Sequence, residues 1–315
     1  MFVGSYQLED KVLDNIRHFL DIDCLDHNIL KDIISHAIEL KASKPKTFPS
    51  ALGKTLALIF EKPSTRTRVS FEVGMLQLGG NVVILNDKET QLSRGETVAD
   101  TSRLLSRYAD IIMLRTDKHK RLNELAANAS VPVINGLTDN THPCQIMADI
   151  LTFQEHRGNI KNKTVAWVGD GNNVATSWLH ASTKFGFKLR IATPKNLEID
   201  EAIILEAKNN GGKIDVFNDP FAAVADADCV LTDTWLSMGA KKNNSQMKNL
   251  LKPFQVNSKL METAKANAVF MHCLPAHRGE EVTAEVIDGP QSLVWDEAEN
   301  RLHVQKAIIL WCLGK

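Results

Sequence analysis

The run Thr55-Leu56-Ala57-Leu58-Ile59-Phe60-Glu61-Lys62-Pro63-Ser64-Thr65-Arg66-Thr67-Arg68-Val69-Ser70-Phe71-Glu72 decides the fold class. A short, mostly apolar run, a polar corner at Pro63 and then hydroxyl residues at a helix-capping position read as a buried strand feeding a helix N-terminus. The same rhythm recurs along most of the chain. Further strands are predicted at Val82 to Asn86, Asp110 to Arg115 and Val131 to Asn135, then at Thr164 to Gly169, Lys188 to Thr193, Lys213 to Phe217, Cys229 to Thr232, Ala268 to His272 and Ser292 to Asp296. Amphipathic helices are predicted at Thr67 to Leu78, Thr97 to Tyr108, Thr176 to Phe185 and Ile199 to Asn209. Short strands alternating with helices in this way build parallel sheets covered by helices.

The rhythm breaks between Asn135 and Thr164, where Pro143 precedes an uninterrupted helical stretch, Gln145 to His156, that ends at Gly158. Such a helix reads as a bridge between two sheets. The fold expected is therefore α/β, with two doubly wound parallel-sheet domains joined by interdomain helices and spanning residues 1–145 and 146–296. The last apolar helix, Glu297 to Leu313, has nothing left to cover in the second half and is expected to cross back, so that 297–315 pack on the first domain. Ser237 to Asn257, polar and irregular, reads as a mobile loop.

Composition narrows the function classes. The chain has 315 residues, 43% hydrophobic and 24% charged, which is ordinary for a globular protein. Lys and Arg total 37 against 38 Asp and Glu, a net charge of −1, so no overall field draws nucleic acid or an anionic membrane. Any bound anion must be held by a local cluster. The five cysteines are scattered with no C-x-x-C pair, which favours reduced thiols and a cytoplasmic location. Met1 to Asp14 lacks the apolar core of a signal peptide, and no apolar run is long enough to span a membrane.

Four stretches carry chemistry. The helix start at Ser64-Thr65-Arg66-Thr67 combines free backbone N–H groups, hydroxyl donors and a guanidinium fork, which suits a phosphate; the plain alternative is a capped helix with exposed arginines. In Asn140-Thr141-His142-Pro143-Cys144-Gln145, His142 and Gln145 lie three apart on a first helical turn, where both can donate to one carbonyl oxygen or serve structure only. Arg115 sits at a strand's carboxyl end, where open α/β sheets bind ligands. Asp233, in Thr232-Asp233-Thr234-Trp235-Leu236-Ser237-Met238-Gly239, and Cys273, in His272-Cys273-Leu274-Pro275, also follow strands and can hold an amine between them. Two motifs are set aside. Gly169-Asp170-Gly171-Asn172-Asn173-Val174 lacks the third glycine of a dinucleotide fingerprint, and the spacing of His142, Cys144, His272 and Cys273 does not fit a zinc set. No cofactor and no metal are expected.

Together, S-T-R-T-R at 64–68, H-P-C-Q at 142–145, D-T-W-L-S-M-G at 233–239, H-C-L-P at 272–275 and Glu299-Asn300-Arg301 resemble the aspartate/ornithine carbamoyltransferase family over nearly the whole chain, and H-P-C-Q, S-M-G and H-C-L-P resemble its ornithine branch. The resemblance implies carbamoyl transfer from carbamoyl phosphate to the δ-amine of L-ornithine, giving citrulline within arginine metabolism. It implies Ser64, Thr65, Arg66 and Thr67 on the phosphate, with Gln91 of a neighbouring subunit, and Arg115, His142 and Gln145 around the carbonyl oxygen. Asn173 would meet the ornithine carboxylate, Asp233, Ser237 and Met238 its α-amino end, and Cys273, Leu274 and Arg301 the reacting centre. A homotrimer with shared active sites follows from the same resemblance. A carbamoyltransferase for another amine, such as putrescine or an N-acylated ornithine, and a non-catalytic paralogue are the alternatives.

Overall fold

The computed structural model describes residues 16–43, 49–86, 95–235 and 244–315. The first sheet contains β1 (Thr55–Phe60), β2 (Asn81–Asn86), β3 (Ile111–Arg115) and β4 (Val133–Leu137), in the order β2-β1-β3-β4. The second contains β5 (Thr164–Val168), β6 (Lys188–Ala192), β7 (Lys213–Phe217), β8 (Cys229–Thr232) and β9 (Val269–His272), in the order β7-β6-β5-β8-β9. Every strand pair is parallel. Each sheet starts at an interior strand, winds outward to one side and then crosses to the other. The crossovers fall between β1 and β3 and between β5 and β8, and at such points the connections diverge to leave a crevice beyond the carboxyl ends.

The helices are α1 (His27–Ala42), α2 (Thr65–Gln77), α3 (Val98–Leu105), α4 (His119–Asn128), α5 (Pro143–Arg157) and α6 (Asn173–Phe185), followed by α7 (Glu201–Asn209), α8 (Pro220–Val224), α9 (Asn244–Leu251), α10 (Ser258–Met261), α11 (Ala284–Ile287) and α12 (Val294–Cys312). Their boundaries follow local chemistry. Ser64 caps α2 by accepting from Thr67 N, Asn172 caps α6 by accepting from Val174 N and Ala175 N, and Gly186 ends α6 in the left-handed conformation at φ 69°. The helix α5 is buried at every residue from Pro143 to Phe153, the pattern of a helix enclosed by protein on all sides. Against it run α12 and α6, and α12 also lies along α1 and α2. One continuous core consequently joins Ile134 of the first sheet, Ile146 and Ile150 of α5, Trp167 of the second sheet and Ile308 of α12.

Three sequence expectations are corrected. Ser292 to Asp296 is not a strand: Ser292 makes a single bridge to Phe270 and α12 begins at Val294, with Asp296 and Glu297 in its first turn, where the helix dipole favours acids. Within the stretch read as a mobile loop, residues 244–251 form α9 and residues 252–254 a short 3-10 turn; Leu251 and Phe254 are buried, and burial of these apolar groups orders a segment whose composition is polar. Residues 237–243 of that stretch, and Met1 to Asp14 with its leader reading, lie outside the described residues. The helix α1 has no counterpart in the predicted elements, although Asp26 caps it and Leu30, Ile33, Ile34, Ala37 and Leu40 line its buried face at helical spacing. Among the described residues no helix is long and apolar enough to cross a membrane.

Candidate active site

The carboxyl ends of the two sheets face one cleft of about 370 Å³. One wall comes from the turns after β1 and β3 and the start of α5, the other from the turns after β5, β8 and β9, and Arg301 of α12 enters from behind. The cleft lies at the switch point of each sheet, where divergent connections leave polar loop residues uncovered.

On the first wall, Thr67 Oγ1 is a shared acceptor. It receives Arg115 Nη1 at 3.0 Å and Arg301 Nη2 at 3.2 Å, so two guanidinium groups from β3 and α12 converge on the first turn of α2. Arg66 lines the same wall. Three cations beside a helix N-terminus form an anion site by elementary electrostatics. Crowding has a measurable trace: burial, then Arg301 and Arg66, bring Arg115 down to about 10. Burial also lowers Arg66 and Arg301. Burial and the same three arginines hold His142 well below the usual imidazole range, so it is neutral at physiological pH. Its backbone N–H is anchored on Ser177 Oγ at 2.7 Å. Thr65 opens α2 on an exposed face and is not among the cleft-lining residues.

Gln145 lines the cleft, but its amide is committed. Its Nε2 donates to Asp149 Oδ1 at 2.8 Å and Glu297 Oε1 at 2.7 Å, and its Oε1 accepts Arg301 Nη1 at 2.5 Å. In this arrangement Gln145 orients Arg301, because two buried acids take both of its N–H groups.

On the second wall, Asp233 is the centre. Its Oδ2 accepts Asn172 Nδ2 at 2.8 Å, and its Oδ1 accepts Thr234 N at 2.7 Å and the Cys273 thiol at 3.1 Å. Burial and then Asp233 raise Cys273 well above the usual thiol range, so Cys273 is a protonated donor. Asn173 reaches across, its Nδ2 donating to Thr138 O at 2.7 Å. Leu274, at φ 54°, donates its N–H to His272 Nδ1 at 2.9 Å, and the Leu274–Pro275 peptide is cis. Gln91, Ser237 and Met238 lie outside the described residues.

Asp233, His272 and Cys273 bring ligand-type atoms within 4.8 Å of one another. Each has an internal partner: His272 Nδ1 takes Leu274 N, its Nε2 lies 3.4 Å from Glu281, and Cys273 donates to Asp233. The trio thus makes a polar wall. Sequence reasoning passed over Asn172, Ser177, Asp149 and Glu297. The two acids were signalled by spacing, since Gln145 and Asp149, and Glu297 and Arg301, are each four apart on a helix and share a face.

Both halves of the chain match known proteins. Residues 17–155 match the family model described as "Aspartate/ornithine carbamoyltransferase, carbamoyl-P binding domain", and residues 161–312 match the one described as "Aspartate/ornithine carbamoyltransferase, Asp/Orn binding domain". An ornithine carbamoyltransferase of Rhodopseudomonas palustris is 59% identical over 301 residues, covering 95% of this chain and 97% of that protein. One from Agrobacterium fabrum is 56% identical over 300 residues, covering 95% and 98%. Among solved structures, the ornithine carbamoyltransferase of Pyrococcus furiosus is 50% identical with a TM-score of 0.89, covering 93% of this chain and 96% of that one. Matched through both halves in sequence and in three dimensions, the chain belongs to the aspartate/ornithine carbamoyltransferase family.

Proposed function

We propose that this protein is an enzyme that transfers the carbamoyl group of carbamoyl phosphate to the δ-amine of L-ornithine, releasing citrulline and phosphate in arginine metabolism. The observation that carries the reading is the pairing of two unlike walls on one cleft. Arg66, Arg115 and Arg301 meet at the α2 N-terminus on one side, and the Asp233 carboxylate faces them from the other. A dianionic donor and an amino acid with a cationic end fit these walls in one orientation.

In the proposed reaction Ser64, Arg66 and Thr67, which line the cleft, hold the phosphate through hydroxyl and guanidinium donors, and Thr65, whose side chain faces outward, contributes its backbone N–H at the helix N-terminus. Arg115, Arg301 and neutral His142 stabilise charge as it develops on the carbamoyl oxygen; Arg115 Nε and Arg301 Nε are buried donors with no partner among the described residues. Asp233 pairs with the α-ammonium group and Asn173 meets the carboxylate, with Ser237 and Met238 completing the amino-acid side. Cys273 and Leu274 border the reacting centre. The neutral δ-amine attacks the carbamoyl carbon, the N–C bond forms as the C–O bond to phosphate breaks, and the amine proton departs with phosphate or solvent. Because an alkylamine titrates near about 10.4, the rate rises with pH above neutrality.

The domain division proposed is 1–145 for carbamoyl phosphate and 146–296 for ornithine, with 297–315 counted with the first. A cytoplasmic homotrimer, in which Gln91 of one subunit reaches the phosphate of the next, and the absence of nucleic-acid and membrane partners complete the proposal. The deciding assay is citrulline formation from carbamoyl phosphate with L-ornithine, run beside putrescine, N-acetylornithine and L-aspartate. Turnover with ornithine alone is expected. Turnover with another amine instead would keep the anion wall and overturn the amino-acid wall, and no turnover at all would leave a non-catalytic paralogue.

A further inference from the structure

Behind the arginines lies an acidic pair to which the mechanism above assigns no task. Asp149 on α5 and Glu297 on α12 are 2% and 1% exposed, and an oxygen of each lies within 2.8 Å of the same nitrogen, Gln145 Nε2. Gln145 Nε2 bridges them, which spends both amide hydrogens on acids and prevents the side-chain amide from turning over. Its oxygen is thereby forced toward Arg301 Nη1, and Arg301 is left with Nη2 on Thr67 and with Nε unpartnered among the described residues. The other oxygen of Glu297 accepts the backbone N–H of His272 at 2.9 Å, one residue before Cys273. A single carboxyl group thus touches the supports of both walls.

We propose that Asp149 and Glu297 are positioning residues for carbamoyl transfer: together they lock Gln145 and through it aim Arg301 into the carbamoyl phosphate half of the cleft, while Glu297 ties that guanidinium to the strand end bearing Cys273. The proposal rests on the carbamoyl-transfer reading. Two carboxylates in contact inside protein do not both ionise, and burial raises each of them, so one proton is held between the pair and one negative charge remains for Arg301. The groups facing the pair are Arg301 of α12, Trp178 of α6, Cys229 of β8, and His272 and Cys273 at the end of β9. Loss of the shared proton at alkaline pH doubles the negative charge behind Arg301 and draws the guanidinium away from the cleft, so kcat, which first rises with pH as the attacking amine deprotonates, falls again at the alkaline end of the profile.

The test compares Asp149→Ala and Asp149→Asn in the full-length protein, with folding checked by circular dichroism. Asp149→Ala is expected to lower kcat about 100-fold with the KM for ornithine near the parent value, and Asp149→Asn to recover to within about 10-fold of the parent. The asparagine oxygen still accepts from Gln145 while its NH₂ donates to an ionised Glu297, which preserves the pair's net charge. The alkaline fall in kcat is expected to vanish in Asp149→Asn, since no shared proton is left to lose. Infrared difference spectra are expected to show the C=O stretch of a protonated buried carboxyl in the parent and not in Asp149→Asn. Equal kcat for the two variants, an unchanged pH profile in Asp149→Asn, or no protonated-carboxyl band in the parent overturns the proposal. Should Asp149→Ala not fold, the pH profile and the band of Asp149→Asn decide. A parent protein that makes no citrulline refutes the functional reading instead, and the band, which needs no substrate, still tests the shared proton.

Discussion

Replacing Asp233 with Asn removes one charge and leaves the outline of the side chain unchanged, so its consequences can be worked from the surrounding bonds. The carboxylate receives three donors, from Asn172, Thr234 and Cys273. An asparagine whose oxygen keeps Thr234 and Cys273 turns its NH₂ toward Asn172 Nδ2, and Asn172 is unable to turn to receive it because its own oxygen caps α6 through Val174 N at 2.9 Å and Ala175 N at 3.1 Å. The variant therefore carries a donor-to-donor contact at the cleft wall, costing about 1–3 kcal/mol of stability. Loss of a charge-assisted bond to an ammonium group is worth about 1.5–3 kcal/mol, which raises the KM for ornithine about 10- to 150-fold. The KM for carbamoyl phosphate should stay near the parent value, since its binding groups are on the opposite wall. Steady-state kinetics with each substrate varied in turn, together with urea unfolding, read all three quantities. An unchanged ornithine KM accompanied by a lower kcat would refute the assignment of Asp233 to the α-ammonium group.

Removing the cap at Ser64 separates the two walls from the other side: Ser64→Ala should cost about 1 kcal/mol in urea unfolding and raise the KM for carbamoyl phosphate but not for ornithine. A Cβ on Gly171 would lie 2.5 Å from Leu197 O and 2.6 Å from Ile199 N, both backbone atoms, so Gly171→Ala should destabilise by about 1–3 kcal/mol and displace Asn172 and Asn173; a variant with parental stability and ornithine KM would contradict the packing described. Burial, then Lys306 and Lys41, bring His303 down to about 4, whereas in the unfolded chain it titrates near about 6.5. The unfolded chain takes up this proton first, so stability is lost as pH falls from about 6.5 to about 4, and His303→Gln should flatten that part of the stability profile measured by urea unfolding. Parallel profiles for the parent and His303→Gln would count against it.

The Asp149–Glu297 contact changes how the cleft is understood. The two sheets are joined by core packing along α5 and α12 and also by a hydrogen-bonded path from Thr67 through Arg301, Gln145 and Glu297 to His272. Replacement of a residue on that path is expected to be felt on both walls, whereas Asp233 and Ser64 lie off it and their replacement is expected to change the KM for one substrate only.

Local chemistry made much of this protein readable from its residues. Strands such as Thr55–Phe60 and Cys229–Thr232 stand out because buried parallel strands are short apolar runs between polar turns, and the α2 start at Ser64 stands out because capping is a contact within four residues. Motifs at strand ends also identified both walls of the cleft, since open α/β sheets place ligand-binding residues there. Where long-range packing competed with local preference, the reading failed. Ser292 to Asp296 has a strand's composition, yet its bridge to Phe270 goes no further and the backbone turns into α12. Polar residues 244–251 form a helix that their composition conceals, because a few apolar side chains find a place to be buried. Thr67, Arg115, Gln145 and Arg301 are far apart in sequence, so the bonds among them depend on two sheets and a returning helix meeting at one point. The commitment of Gln145 to two acids, and with it the aim of Arg301, is a property of that meeting and of no stretch of chain taken alone.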